Sequence, residues 1–419
     1  MRTPNPRSVV GRSKPNPDSR SQRKGPAAEA GWLPGSPSHL ASDLTPPFLQ
    51  MDATRRFFSA VTERIPPFRG AFIIVAHVLP TLLPLLEALS SIGRIAAVVA
   101  KPRSIDHQTL SRVQASHRVL HVDRKTLVAS EYLQSSLLPT LGTENVIILD
   151  VGGYFAGALG CLHEALGDRL LGVVEDTENG HQKYAAVPSH SVQIASVARS
   201  LSKRYEDRWV GQAIIYSAEA IVRNAGTTLI GKRPYVIGFG KIGQSIAHNL
   251  KNRGLNVTIW DLDSHQRLYA RCKDFLVATK SHGLRECDLV FCATGNKALT
   301  GTDFSLIRPG AVVFSATSAD DELDLSGLAA YQSSEAGFAL TRYSSGAQHF
   351  FLANNGNAVN FLHGAEVRPY IHLVQAAILI GIRQIVSRDI PPGSIQGLTR
   401  EDEGIVADIF EQCFFPLTD

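Results

Sequence analysis

The sequence contains no run of apolar residues long enough to cross a membrane. Its apolar stretches all end well short of the roughly 18 residues that a membrane-spanning helix needs, so no membrane partner is expected. The five cysteines show neither metal-ligand spacing nor a C-x-x-C pair, and the 14 histidines include no H-E-x-x-H pattern. These absences predict reduced thiols in a cytoplasmic protein, with no disulfide framework and no metal site.

An excess of positive charge is likewise missing from most of the chain. The formal net charge is +4, and residues 1–50 account for all of it with seven basic and three acidic residues. The remainder is formally neutral, which argues against nucleic acid as a partner. Residues 1–50 also hold 9 of the 22 prolines, a composition that predicts a disordered, solvated tail. A targeting peptide is the alternative, but neither an apolar core nor a good amphipathic helix accompanies the arginines.

From about residue 51 onward, short apolar segments alternate with amphipathic ones. Buried strands are predicted at 71–76, 95–100, 118–122, 145–150 and 170–174, with a helix over 81–91. This alternation is typical of a parallel, doubly wound sheet, in which ligands bind beyond the carboxyl ends of the strands. Several residues that follow these strands are therefore candidates to line a cleft: Asp150, Gly152, Gly153, Glu175, Asp176 and Thr177.

The most informative motif is a glycine-rich turn between a predicted strand and a predicted helix. It has the sequence G-F-G-K-I-G, follows the apolar run 233–237, and precedes a second strand that ends at Asp261, 18 residues after the third glycine. In this setting the glycines permit a tight turn and close approach of a pyrophosphate, which the helix N-terminus then binds. Asp261 would accept hydrogen bonds from a ribose diol and repel a 2′-phosphate, so the motif predicts NAD rather than NADP. The predicted cofactor-binding residues here are Gly238, Gly240, Lys241, Ile242, Gly243 and Asp261.

The chain is thus predicted to be an α/β protein of two domains, with a Rossmann-type NAD domain inserted in a doubly wound parallel-sheet substrate domain. A helix over 210–224 leads into the NAD domain, which contains a strand and tight turn at 289–296 and another strand at 311–315. A strongly apolar helix over 373–386 is expected to pack back on the first domain. The predicted organisation is a tail over 1–50, a substrate and catalytic domain over 51–225, the NAD-binding domain over 226–360, and a C-terminal helical return over 361–419.

These motifs resemble, in order and spacing, those of the adenosylhomocysteinase (S-adenosylhomocysteine hydrolase) family over about residues 65–390. The sequence L-D-V-G-G at 149–153 resembles the family's L-D-D-G-G, and G-V-V-E-D-T-E-N-G at 172–180 resembles its G-I-S-E-E-T-T-T-G. His77 follows the first strand, as the substrate-contacting histidine does in that family. A hydrogen-bonded core histidine is the alternative at this position.

The resemblance extends to a catalytic pair. Lys203 and Asp207 stand where the family has a catalytic lysine and an aspartate four residues later. The resemblance implies that Lys203, Asp207, Asp176 and His77 are catalytic, and that Thr177, Thr294, Gly295, Asn296 and Asn360 join the cofactor site. A lysine beside an aspartate in a cleft can have its pKa shifted towards neutrality, which suits proton transfer. From spacing alone, an ordinary helical ion pair is the competing interpretation.

The resemblance also implies a reaction. The ribose 3′-hydroxyl of the substrate is oxidised with NAD, the neighbouring 4′-hydrogen becomes acidic, and the 5′-thiol leaves. Water then adds, and NAD is regenerated in the last step. The implied substrate is a small nucleoside-type molecule or ribosyl thioether, in an activity of one-carbon metabolism, and the family suggests a homo-oligomer.

Some family positions are altered in this chain. Val151 replaces the second acid of L-D-D-G-G, and Ser318 stands where the family has a histidine. Valine can neither accept a proton nor bind a hydroxyl, so an altered substrate is one hypothesis, and Glu178 is a candidate to supply the lost acid. A non-catalytic relative that binds NAD or a nucleoside is a second hypothesis. A simple NAD-dependent dehydrogenase is a third.

Overall fold

The computed structural model describes residues 47–416 apart from Ser189, Ser318, the pair 365–366 and Arg368. The predicted disordered tail over 1–50 therefore lies almost wholly outside the described residues. Within them, no helix is both long and apolar enough to span a membrane.

Fifteen strands form two separate sheets in the described part of the chain. In chain order the strands are β1 (Gly70–Val78), β2 (Arg94–Ile105), β3 (Val119–Leu120), β4 (Asn145–Asp150), β5 (Leu170–Glu175), β6 (Gln193–Ser196), β7 (Pro234–Ile237), β8 (Thr258–Trp260), β9 (Leu276–Val277), β10 (Leu289–Cys292), β11 (Val312–Ser315), β12 (Gln332–Glu335), β13 (Leu340–Ser345), β14 (Gln348–Ala353) and β15 (Ile395–Gln396).

The same residues form fifteen α-helices, several of them only one turn long. They are α1 (Pro47–Thr62), α2 (Leu82–Ile92), α3 (His107–Ser116), α4 (Arg124–Leu127), α5 (Ser130–Tyr132), α6 (Leu159–Leu166), α7 (Glu178–Ala185), α8 (Leu201–Asn224), α9 (Lys241–Lys251), α10 (Ser264–Cys272), α11 (Lys280–Glu286), α12 (Asp303–Leu306), α13 (Ala319–Glu322), α14 (Tyr370–Val386) and α15 (Arg400–Phe414).

The first sheet is parallel throughout, in the order β15-β6-β5-β4-β1-β2-β3. Its central strands are apolar over nearly their whole length because helices cover both faces. One face packs with α1, α2, α14 and α15, and the other with α6 and the segments around it. Read from β3 to β6, the strand order in the sheet is 3-2-1-4-5-6, which is that of a doubly wound sheet.

The second sheet has the order β12-β13-β14-β11-β10-β7-β8-β9. Its six strands from β14 to β9 are parallel and again follow the Rossmann order 3-2-1-4-5-6, while β12 and β13 add an antiparallel edge. The predicted α/β class with a Rossmann-type half is confirmed. The antiparallel edge was missed because β12 is polar and fully exposed, so it lacks the apolar pattern of a buried strand.

Two helices show how the halves are joined. Helix α8 begins at Leu201, nine residues before the predicted start at 210, because the side chain of Ser200 caps it by accepting from Lys203 N. Helix α14 packs on β5 and β6 of the first sheet, as the predicted C-terminal return requires. The close approach depends on Gly381, where a Cβ atom would lie 2.9 Å from Val174. The domain limits at 51, 226 and 361 stay predictions.

Candidate active site

A cavity of about 600 Å³ is bordered by residues from both halves of the chain. His77 lies in β1, beside the point where strand order reverses in the first sheet, and Asp176 follows β5. Gly240 follows β7 and Thr294 follows β10, the two strands that flank the reversal in the second sheet. Ligands of doubly wound folds bind at such reversals, and here both reversals border one cavity.

The ammonium group of Lys203 lies among three carboxylates in this cavity. Its Nζ is 2.8 Å from Glu206 Oε2, 3.3 Å from Asp176 Oδ1 and 3.8 Å from Asp207 Oδ1. The predicted ion pair of Lys203 with Asp207 is thus present, and Asp176 approaches from the neighbouring loop. All four side chains are at most 15% exposed.

These carboxylates set the charge of Lys203. Burial by itself lowers the pKa of Lys203, but Asp176, Glu206 and Asp207 raise it well above its usual value. The expected shift of this pKa towards neutrality is therefore wrong. Carboxylates this close favour the ammonium form, and their effect outweighs that of burial.

Glu206 was missed in the sequence although it lies three residues after Lys203 on the same helix face. Burial raises the pKa of the Glu206 carboxyl to about 7, against the opposing effect of Lys203. Burial also raises the pKa of Asp207. The cluster therefore contains a carboxyl group that can gain or lose a proton near neutral pH.

Glu206→Gln is expected to change how stability depends on pH. Between about pH 4.5, the ordinary pKa of the group, and about pH 7, folded Glu206 keeps a proton that the unfolded chain releases. The free energy of unfolding must therefore fall as pH rises through this window, and glutamine removes that contribution, on the order of 1–3 kcal/mol. Denaturant unfolding measured from pH 5 to pH 8 should show a shallower decline for the variant than for the wild type.

The control for this experiment is Glu164→Gln on an exposed face of α6. It should reproduce the wild-type pH dependence. Part of the decline will remain in Glu206→Gln, since burial and Asp150 raise the pKa of Glu175 to about 8. Superimposable curves for wild type and Glu206→Gln would show that Glu206 is not protonated in the folded chain.

His77 borders the cavity at the carboxyl end of β1. Its Nδ1 lies 2.5 Å from Ser104 Oγ, and its ring centroid lies 4.8 Å from that of Phe361. Burial, together with the charges of Lys101 and Lys203, holds the pKa of His77 well below its ordinary value. The side chain is therefore a neutral imidazole fixed in orientation by Ser104 and Phe361.

The two acids at the ends of β4 and β5 hold loops together. Asp150 accepts from the amides of Tyr154 and Phe155 at 3.0 and 2.9 Å and from Tyr184 Oη at 2.6 Å. The amides of Gly152 and Gly153 donate instead to Glu175, as do the amide and hydroxyl of Thr177. Thr177 also caps α7 and borders the cavity. Glu178, the candidate replacement acid, binds Arg199 at 2.6 Å.

The glycine-rich turn after β7 leaves room for a ligand at one of its three glycines. A Cβ atom on Gly243 would lie 1.9 Å from the Gly238 carbonyl oxygen, and one on Gly238, whose φ is +94°, would lie 2.6 Å from the Ala293 carbonyl oxygen. Gly240 has nothing within 4 Å of such an atom and borders the cavity beside Lys241 and Ile242. The turn therefore fits a pyrophosphate that approaches the backbone at Gly240.

Asp261 faces this turn. Its carboxylate accepts from Phe239 N at 2.7 Å and from Asp263 N at 2.9 Å. Lys241, at the start of α9, points across to the first half of the chain, where its Nζ donates to the Ala198 carbonyl at 2.6 Å and lies 3.8 Å from Asp207 Oδ2. Asp261 thus lies at the turn, although it is not among the residues that border the cavity, whereas Lys241 joins the cofactor turn to the Lys203 cluster.

The other predicted cofactor residues, Thr294, Gly295, Asn296 and Asn360, lie outside the glycine-rich turn and have different hydrogen-bond partners. Thr294 and Gly295 donate their amides to the buried Glu322, as does the Thr294 hydroxyl. Asn296 is exposed and, unlike Thr294 and Gly295, does not border the cavity. Asn360 borders it, and its buried Oδ1 has no hydrogen-bond partner among the described residues. That acceptor is available to a ligand.

Comparison with known proteins agrees with this geometry. A family model described as "S-adenosyl-L-homocysteine hydrolase, NAD binding domain" matches residues 214–364. The adenosylhomocysteinases of Thermoplasma acidophilum and Thermoplasma volcanium are each 24% identical over 257 residues, covering 59% of this chain and 61% of the relative. Over these residues the chain is similar to adenosylhomocysteinases, most clearly in the part that matches their NAD-binding domain. The chain spans about 61% of the length of these curated relatives.

The matched domain also identifies the cofactor. It is an NAD-binding domain, and the open backbone at Gly240 leaves room for a pyrophosphate, so the cofactor of this chain is NAD.

Two solved structures of reductases also match this chain, at low sequence identity. An NADPH-dependent glyoxylate/hydroxypyruvate reductase from Sinorhizobium meliloti is 13% identical, with a TM-score of 0.40, and the match covers 77% of this chain and 96% of that one. A glyoxylate reductase from Paecilomyes thermophila is 13% identical, with a TM-score of 0.37 and coverage of 84% and 97%.

Proposed function

We propose that this chain is an NAD-dependent, adenosylhomocysteinase-like enzyme that acts on a nucleoside or ribosyl thioether through transient oxidation of the ribose 3′-hydroxyl. The observation that carries the proposal is that Lys203, with its three carboxylates, and the open backbone at Gly240 border the same cavity. NAD, when bound, supplies the capacity to oxidise a hydroxyl group. The side chains of the chain itself would hold the sugar and move its protons.

In this proposal Lys203 binds and polarises the ribose hydroxyl that loses its proton. Because the ammonium form is held by carboxylates, the proton has a short route to Glu206 Oε2, 2.8 Å away. A carboxyl group with a pKa of about 7 is well matched to accept and return a proton at neutral pH. Asp176 and Asp207 would accept hydrogen bonds from sugar hydroxyls and orient the ring.

His77, as a neutral imidazole, would orient the substrate and would not contribute a charge. Its Nδ1 already contacts Ser104, so its other ring nitrogen is the one that a ligand can reach. Val151, which borders the cavity where the family has an acid, offers only its apolar side chain. Val151 therefore favours a substrate that is apolar where it contacts this residue. It also favours a reaction other than hydrolysis of adenosylhomocysteine.

One observation favours a second candidate function, a non-catalytic relative that binds NAD or a nucleoside. Lys203 is held in the ammonium form by Asp176, Glu206 and Asp207, and an ammonium cannot itself accept a proton. Without a proton route through Glu206, the cluster would bind a sugar without oxidising it.

Rapid mixing of the NAD-loaded protein with nucleosides separates the two functions. Adenosine and S-adenosylhomocysteine are to be mixed with the purified chain while the near-ultraviolet absorbance of NADH is followed. The enzyme is expected to show a rise of at most one NADH per active site, followed by a return to the oxidised level. Tight nucleoside binding without any rise would refute the catalytic proposal, and steady release of free NADH would indicate a simple dehydrogenase.

A further inference from the structure

A second group of charged side chains surrounds the turn that follows β4, and two of its members, Lys101 and Asp321, border the cavity. Asp321 pairs with Arg124 at 2.9 Å and with Lys183 at 3.1 Å, and both cations also donate to the Gly152 carbonyl. Lys101, in the second half of β2, adds a third cation beside the turn. Asp321 is therefore shared between two of the three cations that contact the turn.

Lys101 is the cation without an ion-pair partner. Its Nζ donates to the Val151 carbonyl at 3.0 Å, and no carboxylate of the described residues lies within salt-bridge distance. Burial lowers the pKa of Lys101, partly offset by the more distant charge of Asp321. An ammonium group has three protons to donate, and leaving a buried charge without a counterion is costly.

Lys101 and Gly152 both border the cavity, whereas Arg124 lies beside Gly152 without bordering it. A Cβ atom on Gly152 would lie in van der Waals contact, 3.4 Å from Lys101 Nζ and 3.7 Å from Arg124 Nη2. With φ at +105°, this position favours glycine, so no side chain of residue 152 stands beside the Lys101 ammonium group. The ring of Tyr154 lies beneath both cations, with its centroid 5.6 Å from Lys101 Nζ and 4.9 Å from the Arg124 guanidinium carbon.

The acids closest to this turn do not pair with Lys101. Asp150 is held by two backbone amides and Tyr184, and Glu175 by the amides of Gly152 and Gly153 and by Thr177. Their oxygens therefore face the protein's own donors. The cavity thus contains one ammonium group, Lys203, among three carboxylates, and a second, Lys101, whose nearest acids are bound elsewhere.

We propose that the part of the cavity at the Lys101 ammonium group is a subsite for an anionic group of the substrate, either a carboxylate or a phosphate ester. The inference rests on the proposed function insofar as the cavity is the substrate site. The sugar would lie against the Lys203 cluster, and the anion would give Lys101 its missing counterion. Recognition of this kind selects a charged ribosyl substrate over a neutral nucleoside.

The subsite can be tested with simple anions. The full-length, NAD-saturated chain is titrated with inorganic phosphate, acetate or chloride at fixed ionic strength, and the thermal unfolding midpoint gives an apparent dissociation constant. Phosphate or acetate is expected to stabilise the wild type more than chloride does. Lys101→Met should weaken that binding by about tenfold or more, since a hydrogen bond to a charged group is lost.

Two variants serve as controls. Lys125→Met removes an exposed lysine from the same half of the chain and should bind the anions like the wild type. Lys101→Arg keeps the charge and should retain most of the effect. Stronger stabilisation by phosphate than by acetate identifies a phosphate ester, and the reverse identifies a carboxylate. Equal stabilisation of wild type and Lys101→Met, or no anion effect in the wild type, overturns the proposal.

A second titration distinguishes failure of the subsite from failure of the proposed function. Adenosine, adenosine 5′-monophosphate and S-adenosylhomocysteine are titrated calorimetrically into the same NAD-loaded variants. If anions bind at Lys101 but no nucleoside binds, the proposed function falls and the subsite stands. If nucleosides bind equally to wild type and Lys101→Met and simple anions have no effect, the subsite falls and the proposed function stands.

Discussion

Gly240→Val will abolish NAD binding while the chain keeps its fold. At this glycine an added Cβ atom meets no protein atom within 4 Å, and the backbone φ of −70° suits any residue. The valine methyl groups would instead occupy the space through which the pyrophosphate approaches the backbone. NAD affinity measured by calorimetry is expected to fall by at least about 100-fold, because backbone contacts to a charged group are lost.

The unfolding midpoint of the cofactor-free chain is the second readout. It should be unchanged in Gly240→Val, and also in Gly160→Val, a matched change at an exposed glycine in α6 that is equally open. Gly243→Ala should behave in the opposite way and destabilise the apo chain, since its Cβ atom would lie 1.9 Å from the Gly238 carbonyl oxygen. Undiminished NAD affinity in Gly240→Val would place the cofactor elsewhere.

The cofactor half could be predicted from the sequence because the residues that define it lie close together in the chain. The turn from Gly238 to Gly243, its flanking strand and helix, and Asp261 lie within one short stretch, and each carries its own physical requirement. Their relative positions follow from the strand order of a Rossmann sheet. Asn296 shows the limit of such an inference: it follows the right strand, yet it turns outward and does not border the cavity.

The Lys203 cluster could be predicted from the sequence only in part. Lys203 and Asp207 are one helical turn apart, and Asp176 directly follows β5, so all three could be identified as candidates from their positions in the sequence. The three-carboxylate environment was missed because Glu206 was not counted as a partner of Lys203. Its consequence, a raised pKa of Lys203, is the reverse of the predicted direction.

The charged group beside Gly152 had no sequence signature. Arg124 and Asp321 are 197 positions apart in the chain and come from the halves of the protein that contain different sheets. Glu322, which fixes the turn at Thr294, comes from the end of α13, 28 positions away. The pairing of Arg124 with Asp321 depends on how two sheets are placed against each other, which local periodicity does not encode.

Lys203→Met is expected to remove the reaction while leaving NAD in place. The methionine keeps much of the apolar stem but cannot polarise a hydroxyl or hand a proton to Glu206, so the single-turnover rate of NADH formation should fall by about 100- to 10,000-fold. NAD affinity should be close to that of the wild type, because Lys203 lies on α8 and its ion pairs among the described residues are with Asp176, Glu206 and Asp207 rather than with the glycine turn. The rate is measured by rapid mixing with adenosine.

Two further variants make this result interpretable. Removing the ammonium group leaves Asp176, Glu206 and Asp207 facing one another, which destabilises the chain through like-charge repulsion. Lys203→Arg keeps the positive charge and should fold normally, yet react slowly, since a guanidinium does not release its proton. Arg204→Met removes an exposed cation next to Lys203 and should react at the wild-type rate. Reaction at the wild-type rate in folded Lys203→Met and Lys203→Arg would exclude Lys203 from proton transfer, and the cluster would then serve only to bind the sugar.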